Sequence, residues 1–156
     1  MRSLVPVLAA FALTACAPSF IAGTEVEDTP ENREIVALVE SYRKAVEDRD
    51  EMALLRLISR HYVENGSTTD TQDDDYGYGT LTQQVMPQLH DNVKEVQYRV
   101  QIRRIGLEPD HAWAEYEYVA RFLYTEGGRE RWQGLNDFNR LDFIREDGVW
   151  KIESGL

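Results

Sequence analysis

The sequence predicts an α+β domain, with helices first and a meander of long antiparallel strands after them. Three observations carry this. Apolar residues recur at helical spacing between Ile35 and Leu89, and the period drops to two from Val93 onward. The turn pairs Gly127-Gly128 and Asp147-Gly148 then cut the second part into neighbouring strands.

The first helix is marked at its start by Thr29 as N-cap and Pro30 in the first turn, with Glu31 and Glu34 at the positive end of the dipole. Ile35, Leu38, Val39, Tyr42 and Val46 form its apolar stripe. Asp50 caps a second helix whose apolar positions are Leu54, Leu55, Leu57 and Ile58, with His61 at its end. A polar loop, Asn65 to Asp75, leads to a third helix opened by the capping pair Thr80 and Gln83. Leu81, Val85, Met86 and Leu89 are its apolar side, and Pro87 weakens its end.

In the second part Val96, Tyr98, Val100 and Ile102 alternate with Gln97, Arg99, Gln101 and Arg103, the pattern of a half-buried strand. Pro109-Asp110 breaks it. Ala112, Ala114, Tyr116, Tyr118, Ala120, Phe122 and Tyr124 mark the inner face of a second long strand. A third runs from Arg131 to about Arg145, and Val149 to Ile152 begins the last.

Composition narrows the function classes. The 156 residues suffice for one domain, and 42% hydrophobic content can fill one core. The net charge is −11; losing Arg2 with a leader leaves 16 basic residues against 28 acidic ones, a net of −12. Such a surface repels phosphate backbones, so nucleic acid is not an expected partner.

The only cysteine, Cys16, sits at the end of an apolar N-terminal stretch. Residues 1–15 read as a signal peptide: Arg2 supplies the positive start, and Leu4 to Ala15 are interrupted only by Pro6 and Thr14. The stretch is too short for a bilayer core, which takes about 20 helical residues. Leu13-Thr14-Ala15-Cys16 resembles the lipobox of bacterial lipoproteins. That resemblance implies a diacylglycerol on the Cys16 thiol, cleavage before it and acylation of the new amino terminus by a chain such as palmitate. Ala17, which is not aspartate, implies the outer membrane, facing the periplasm. Residues 16–28 are then a lipidated tether without periodicity, and 29–156 the domain.

From Thr29 to Leu156 the chain resembles the nuclear transport factor 2-like superfamily, the cone-shaped fold of ketosteroid isomerase and SnoaL-like proteins. The resemblance rests on element order, on Tyr42-Arg43-Lys44-Ala45 followed by Asp48-Arg49-Asp50, and on the ending Gly148-Val149-Trp150-Lys151-Ile152. It implies helices covering one face of a strongly curved sheet, with a pocket between. It supplies a shape and a place for a site, not a reaction.

Candidate pocket residues are Tyr62, Tyr116, Tyr118, Asp137 and Asn139. Counting by twos puts Leu135, Asp137, Asn139, Leu141 and Phe143 on one face of the third strand, the inner one if Leu141 and Phe143 are core. A carboxyl among tyrosine rings would have its pKa raised, as a general acid or base needs, and the superfamily's isomerases use a pocket acid in this way. A bulge would reverse that register, and a structural hydrogen bond is the commoner fate of such a residue.

Asp73-Asp74-Asp75 lacks the glycine and glutamate of a calcium loop and reads as a solvated acidic loop. His61, His90 and His111 have no zinc spacing, so neither a metal nor a cofactor is expected. No catalytic set is assembled by sequence motif. The expected function is an envelope lipoprotein that binds a small apolar ligand or a partner protein without catalysis. The alternative is an isomerase- or cyclase-type enzyme using Asp137. The sheet's outer face, with Trp113, Val119 and Leu123, is the expected surface for a homodimer or partner.

Overall fold

The computed structural model describes residues 18–65, 75–87 and 93–156. Cys16, the leader, Asp73, Asp74 and His90 lie outside these residues. Helix α1 (Pro30–Asp48) begins as its sequence dictates: the Thr29 hydroxyl accepts from the Asn32 N–H at 3.2 Å. It ends at Arg49, whose φ of 54° places it in the left-handed region. Ile35, Val39, Tyr42 and Ala45 are its buried stripe. Helix α2 (Glu51–Leu57) is capped by Asp50, which accepts from the Ala53 N–H at 2.8 Å.

Two local readings differ. Ile58 and His61 are outside α2: Ile58 is extended and makes a parallel bridge to Ile152, and His61 sits in the turn that follows. The chain then forms a small sheet, β1 (Val63–Glu64) with β2 (Tyr76–Gly77). The third helix is wider than expected in its described part, and its expected end at Leu89 and His90 lies outside the described residues. A single turn, α3 (Tyr78–Thr80), passes into a π-helical stretch, Leu81–Val85, with only Leu81 and Met86 buried on this segment.

The main sheet has the order β3-β4-β5-β6, all antiparallel: β3 (Val93–Leu107), β4 (His111–Glu126), β5 (Arg129–Glu146) and β6 (Val149–Ser154). Both hairpins turn as their sequences require. Gly127 and Gly128 have φ of 58° and 77°, Asp147 and Gly148 have 50° and 80°, and two successive positive values match the twist of the strands they join. Tyr98 faces Ala120, which faces Leu135; Ile102 faces Tyr116, which faces Asn139. These residues share the concave face, and α1 packs against it. The core is Ile35, Val39 and Tyr42 from the helix with Ala114, Tyr116, Leu141, Phe143 and Ile152 from the sheet.

The tether expected over 16–28 is folded in its described part. Phe20 and Glu27 form an antiparallel bridge, and the Asp28 N–H donates to the Ser19 carbonyl at 2.7 Å. Val26 is buried, and the Glu25 N–H donates to the Ile102 carbonyl at 3.1 Å, tying the segment to the edge of β3. Among the described residues no helix is long and apolar enough to cross a membrane.

Candidate functional site: a tyrosine-walled cavity

Between α1, the π-helical segment and the concave sheet lies a cavity of about 240 Å³. Tyr42 and Val46 reach it from α1, Leu81, Val85 and Met86 from the π-helical side, and Tyr98, Tyr118, Phe122, Leu135 and Asn139 from the sheet. Leu54 from α2, Tyr76 and Leu156 complete the described wall. The wider π turn sets three apolar side chains of one short segment over the sheet.

Tyr42, Tyr98, Tyr118 and Tyr116 form one connected cluster. Tyr42 meets Tyr98 edge-on with ring centroids 6.1 Å apart, and Tyr118 lies 5.7 Å from Tyr98 and 6.1 Å from Tyr116. Burial pushes the Tyr42 and Tyr98 phenols far above their ordinary value, and neighbouring phenols add to the shift. Tyr116 is raised as well, chiefly by burial. These hydroxyls therefore keep their protons near neutrality and present O–H groups, never phenolates.

The five predicted pocket residues are divided by the structure. Tyr118 and Asn139 line the cavity. Tyr116 is fully buried behind it, its hydroxyl accepting from Asn139 Nδ2 at 3.2 Å. That amide also donates to the Gly155 carbonyl at 3.0 Å, and its oxygen accepts from the Arg140 N–H at 2.8 Å. Asn139 is thus a fixed brace. Tyr62 is buried beside the wall, 6.3 Å from the Tyr76 ring, and donates to Glu64 Oε2 at 2.6 Å. Glu64 also accepts from the Gly155 N–H at 3.1 Å, so the pair anchors the last residues of the described chain.

Asp137 differs from the expectation. It faces Tyr118 in the register and so is on the concave side, but it is exposed and outside the cavity wall. Every residue from Arg129 to Phe138 is exposed, so this side of the sheet gives the carboxylate no apolar enclosure. Its Oδ1 accepts from the Phe138 N–H at 2.8 Å. Tyr42, Tyr76 and Tyr98 were absent from the predicted pocket. Tyr42 and Tyr98 were visible only as members of the helical stripe and the strand alternation, and nothing local distinguished them from ordinary core.

His61 and His111 share a separate outer cleft of about 440 Å³, where His111 Nε2 lies 3.8 Å from Glu153 Oε2. Among the described residues no three His, Cys, Asp or Glu side chains are placed to hold a metal ion. On the convex face Val119 (45% exposed), Trp132 (41%) and Phe138 (70%) are open to solvent. Trp113 is half-buried there beneath the Arg140 guanidinium, at 4.8 Å.

A curved antiparallel sheet with helices closing one face over a cavity defines a class of cone-shaped α+β domains. Comparison with solved structures makes the class specific: the chain has the nuclear transport factor 2-like fold. A superfamily protein from Salmonella enterica serovar Typhimurium matches at a TM-score of 0.66 and 12% identity, over 79% of this chain and 86% of that one. A nuclear transport factor 2-like protein of unknown function from Pseudomonas putida matches at 0.63 and 18%, over 82% and 85%. A hexachlorocyclohexane dehydrochlorinase matches at 0.61 and 14%, over 80% and 82%. Identities this low establish shape alone. No family model and no curated protein matches the sequence.

Proposed function

We propose that this chain is an envelope lipoprotein, held by lipid on Cys16 at the periplasmic side of the outer membrane, whose cavity binds a small apolar ring molecule without transforming it. The wall of the cavity carries this reading. Its polar groups are protonated phenols and an amide already committed to protein partners, and its described lining holds no carboxylate or histidine. Such a wall supplies apolar contact and hydrogen bonds to an acceptor oxygen, but no group to take up or deliver a proton near neutrality. A dry cavity of about 150 Å³ accepts benzene. The space here, about 240 Å³, suits a substituted single ring or a compact fused pair.

The membrane part rests on Leu13-Thr14-Ala15-Cys16 and the apolar stretch before it. A second copy is the proposed partner of the convex face, where Val119, Trp132 and Phe138 are exposed. An enzymatic reading is supported by the putative dehydratases and the dehydrochlorinase among solved proteins of the same fold. Through Asp137 it requires that carboxylate to leave the Phe138 N–H and enter the cavity.

Native mass spectrometry tests the proposal. Cys16→Ser protein made in a bacterial periplasm should carry a discrete small molecule, retained in Asp137→Asn and lost when Tyr118 is changed to Ala. Recovery of a chemically altered form of an added ligand, abolished by Asp137→Asn, would replace the binding reading with the enzymatic one.

A further inference from the structure

The membrane reading has a geometric consequence, because the segment after Cys16 is not a free tether. Ser19 is already held by the Asp28 N–H at 2.7 Å, and Asp28 adjoins Thr29, the cap of α1. Ser19 is three steps along the chain from Cys16, and three extended steps span at most about 11 Å. The lipid would thus reach the folded body beside the N-terminus of α1. The aromatic ring nearest the anchor in sequence, Phe20, is 59% exposed.

The cavity is at the opposite end of that helix. Val46, which lines it, is sixteen residues beyond Pro30, a distance of about 24 Å along the axis. Leu135, the most exposed of the cavity-lining residues at 45%, lies on the outer half of β5 and marks the open side. The segment between is tied to the sheet: Glu25 is bonded to the Ile102 carbonyl and ion-paired with Arg103, and Val26 is in the core.

We propose that the domain stands on the bilayer on its Phe20 edge, with Phe20 at the lipid interface and the cavity mouth turned to the aqueous side. This rests on lipidation of Cys16. The ligand would then enter and leave through water or a water-side carrier rather than directly from the membrane.

The test uses the full lipidated chain in phosphatidylcholine vesicles carrying a nitroxide lipid. With Cys16 acylated, a single introduced cysteine is the only free thiol, so Phe20→Cys or Leu135→Cys can each carry one fluorophore. Quenching several-fold stronger at position 20 than at 135 is expected. Equal quenching at the two positions, stronger quenching at 135, or none at either in protein that floats with the vesicles overturns the orientation. Protein that neither floats nor shows the added lipid mass overturns the lipidation reading itself. A flexible glycine-serine insert between Pro18 and Ser19 should keep flotation and remove the difference between positions; a difference that persists would show that the short arm does not set the orientation.

Discussion

The two halves of β5 share a strand, a register and an alternation, yet they have different surroundings. From Asp142 to Ile144 the strand is paired on both sides, by β4 and β6, and Leu141 and Phe143 have no exposed surface. From Arg129 to Phe138 it is paired with β4, and every residue is exposed. Alternation determines which face a side chain points to, but burial depends on what is stacked above it. Asp137 and Leu141 point to the same side of one sheet, one in solvent and the other in the core. The packed half fixes the fold, which leaves the open half free to form the mouth of the cavity and an outer surface for contact.

The largest expected effect breaks the packed half. Phe143→Ala removes a fully buried ring and should cost about 3–5 kcal/mol, whereas Leu135→Ala in the open half should cost about 1 kcal/mol or less. Urea unfolding of the two variants measures the difference. Similar losses would mean that the outer half of β5 is covered in solution.

Close packing at this end extends to the convex side. A Cβ on Gly106 would sit 2.2 Å from the Trp113 ring, and that ring is itself covered by Arg140. Gly106→Ala must displace the indole, and an overpacking cost of about 1–3 kcal/mol is expected. Gly134, whose nearest neighbour to an added Cβ is 3.7 Å away, should accept alanine with little change. Thermal unfolding of the pair tests whether the two ends of the sheet differ on this face too.

The cavity end of α1 is braced by charge. Arg43 pairs with Glu40 and Glu47, each at 2.7 Å, and donates to the Tyr98 carbonyl at 3.2 Å. Hydrogen bonding to Arg43 holds both carboxyls below their usual range. Folded values that are depressed give stability present above the unfolded carboxylate pKa and lost as pH falls through the folded one. Acidification below about pH 4.5 should therefore weaken the native chain more than Arg43→Gln, by about 0.5–1 kcal/mol given the solvent exposure of both glutamates. Parallel slopes of stability against pH in the two proteins would remove Arg43 as the brace.

What could be read from the sequence follows the range of the forces involved. The caps at Thr29 and Asp50 and the turns at Gly127-Gly128 and Asp147-Gly148 are decided within four residues, and all appear where the sequence puts them. The fold of residues 19–28 depends on Ile102 and Arg103, far along the chain, so the segment carries no local signal. The cavity is harder still to read. Tyr42 and Tyr98 have the spacing of core residues, and they become a wall only because the side chains opposite leave room. Counting by twos puts Asp137 on the concave side, but it does not say where the cover over that side ends.

The smallest expected change in stability accompanies the change in association that matters most to the open half. Phe138 is 70% exposed and faces Glu117 across the strand pair, on the same convex side as Val119 and Trp132. Trp132 already has one partner, the Arg121 guanidinium 4.9 Å from its ring, whereas Phe138 offers its ring mainly to solvent. Phe138→Ser should thus change monomer stability by no more than about 0.5 kcal/mol. If a second copy covers the convex face, the same substitution removes an aromatic anchor, and such residues dominate interface energies. Sedimentation equilibrium of the Cys16→Ser domain should show a dimer that Phe138→Ser shifts toward monomer and Gln133→Ser, on the concave side, leaves unchanged. A native domain that is monomeric at every concentration would confine the work of the open half to the mouth of the cavity.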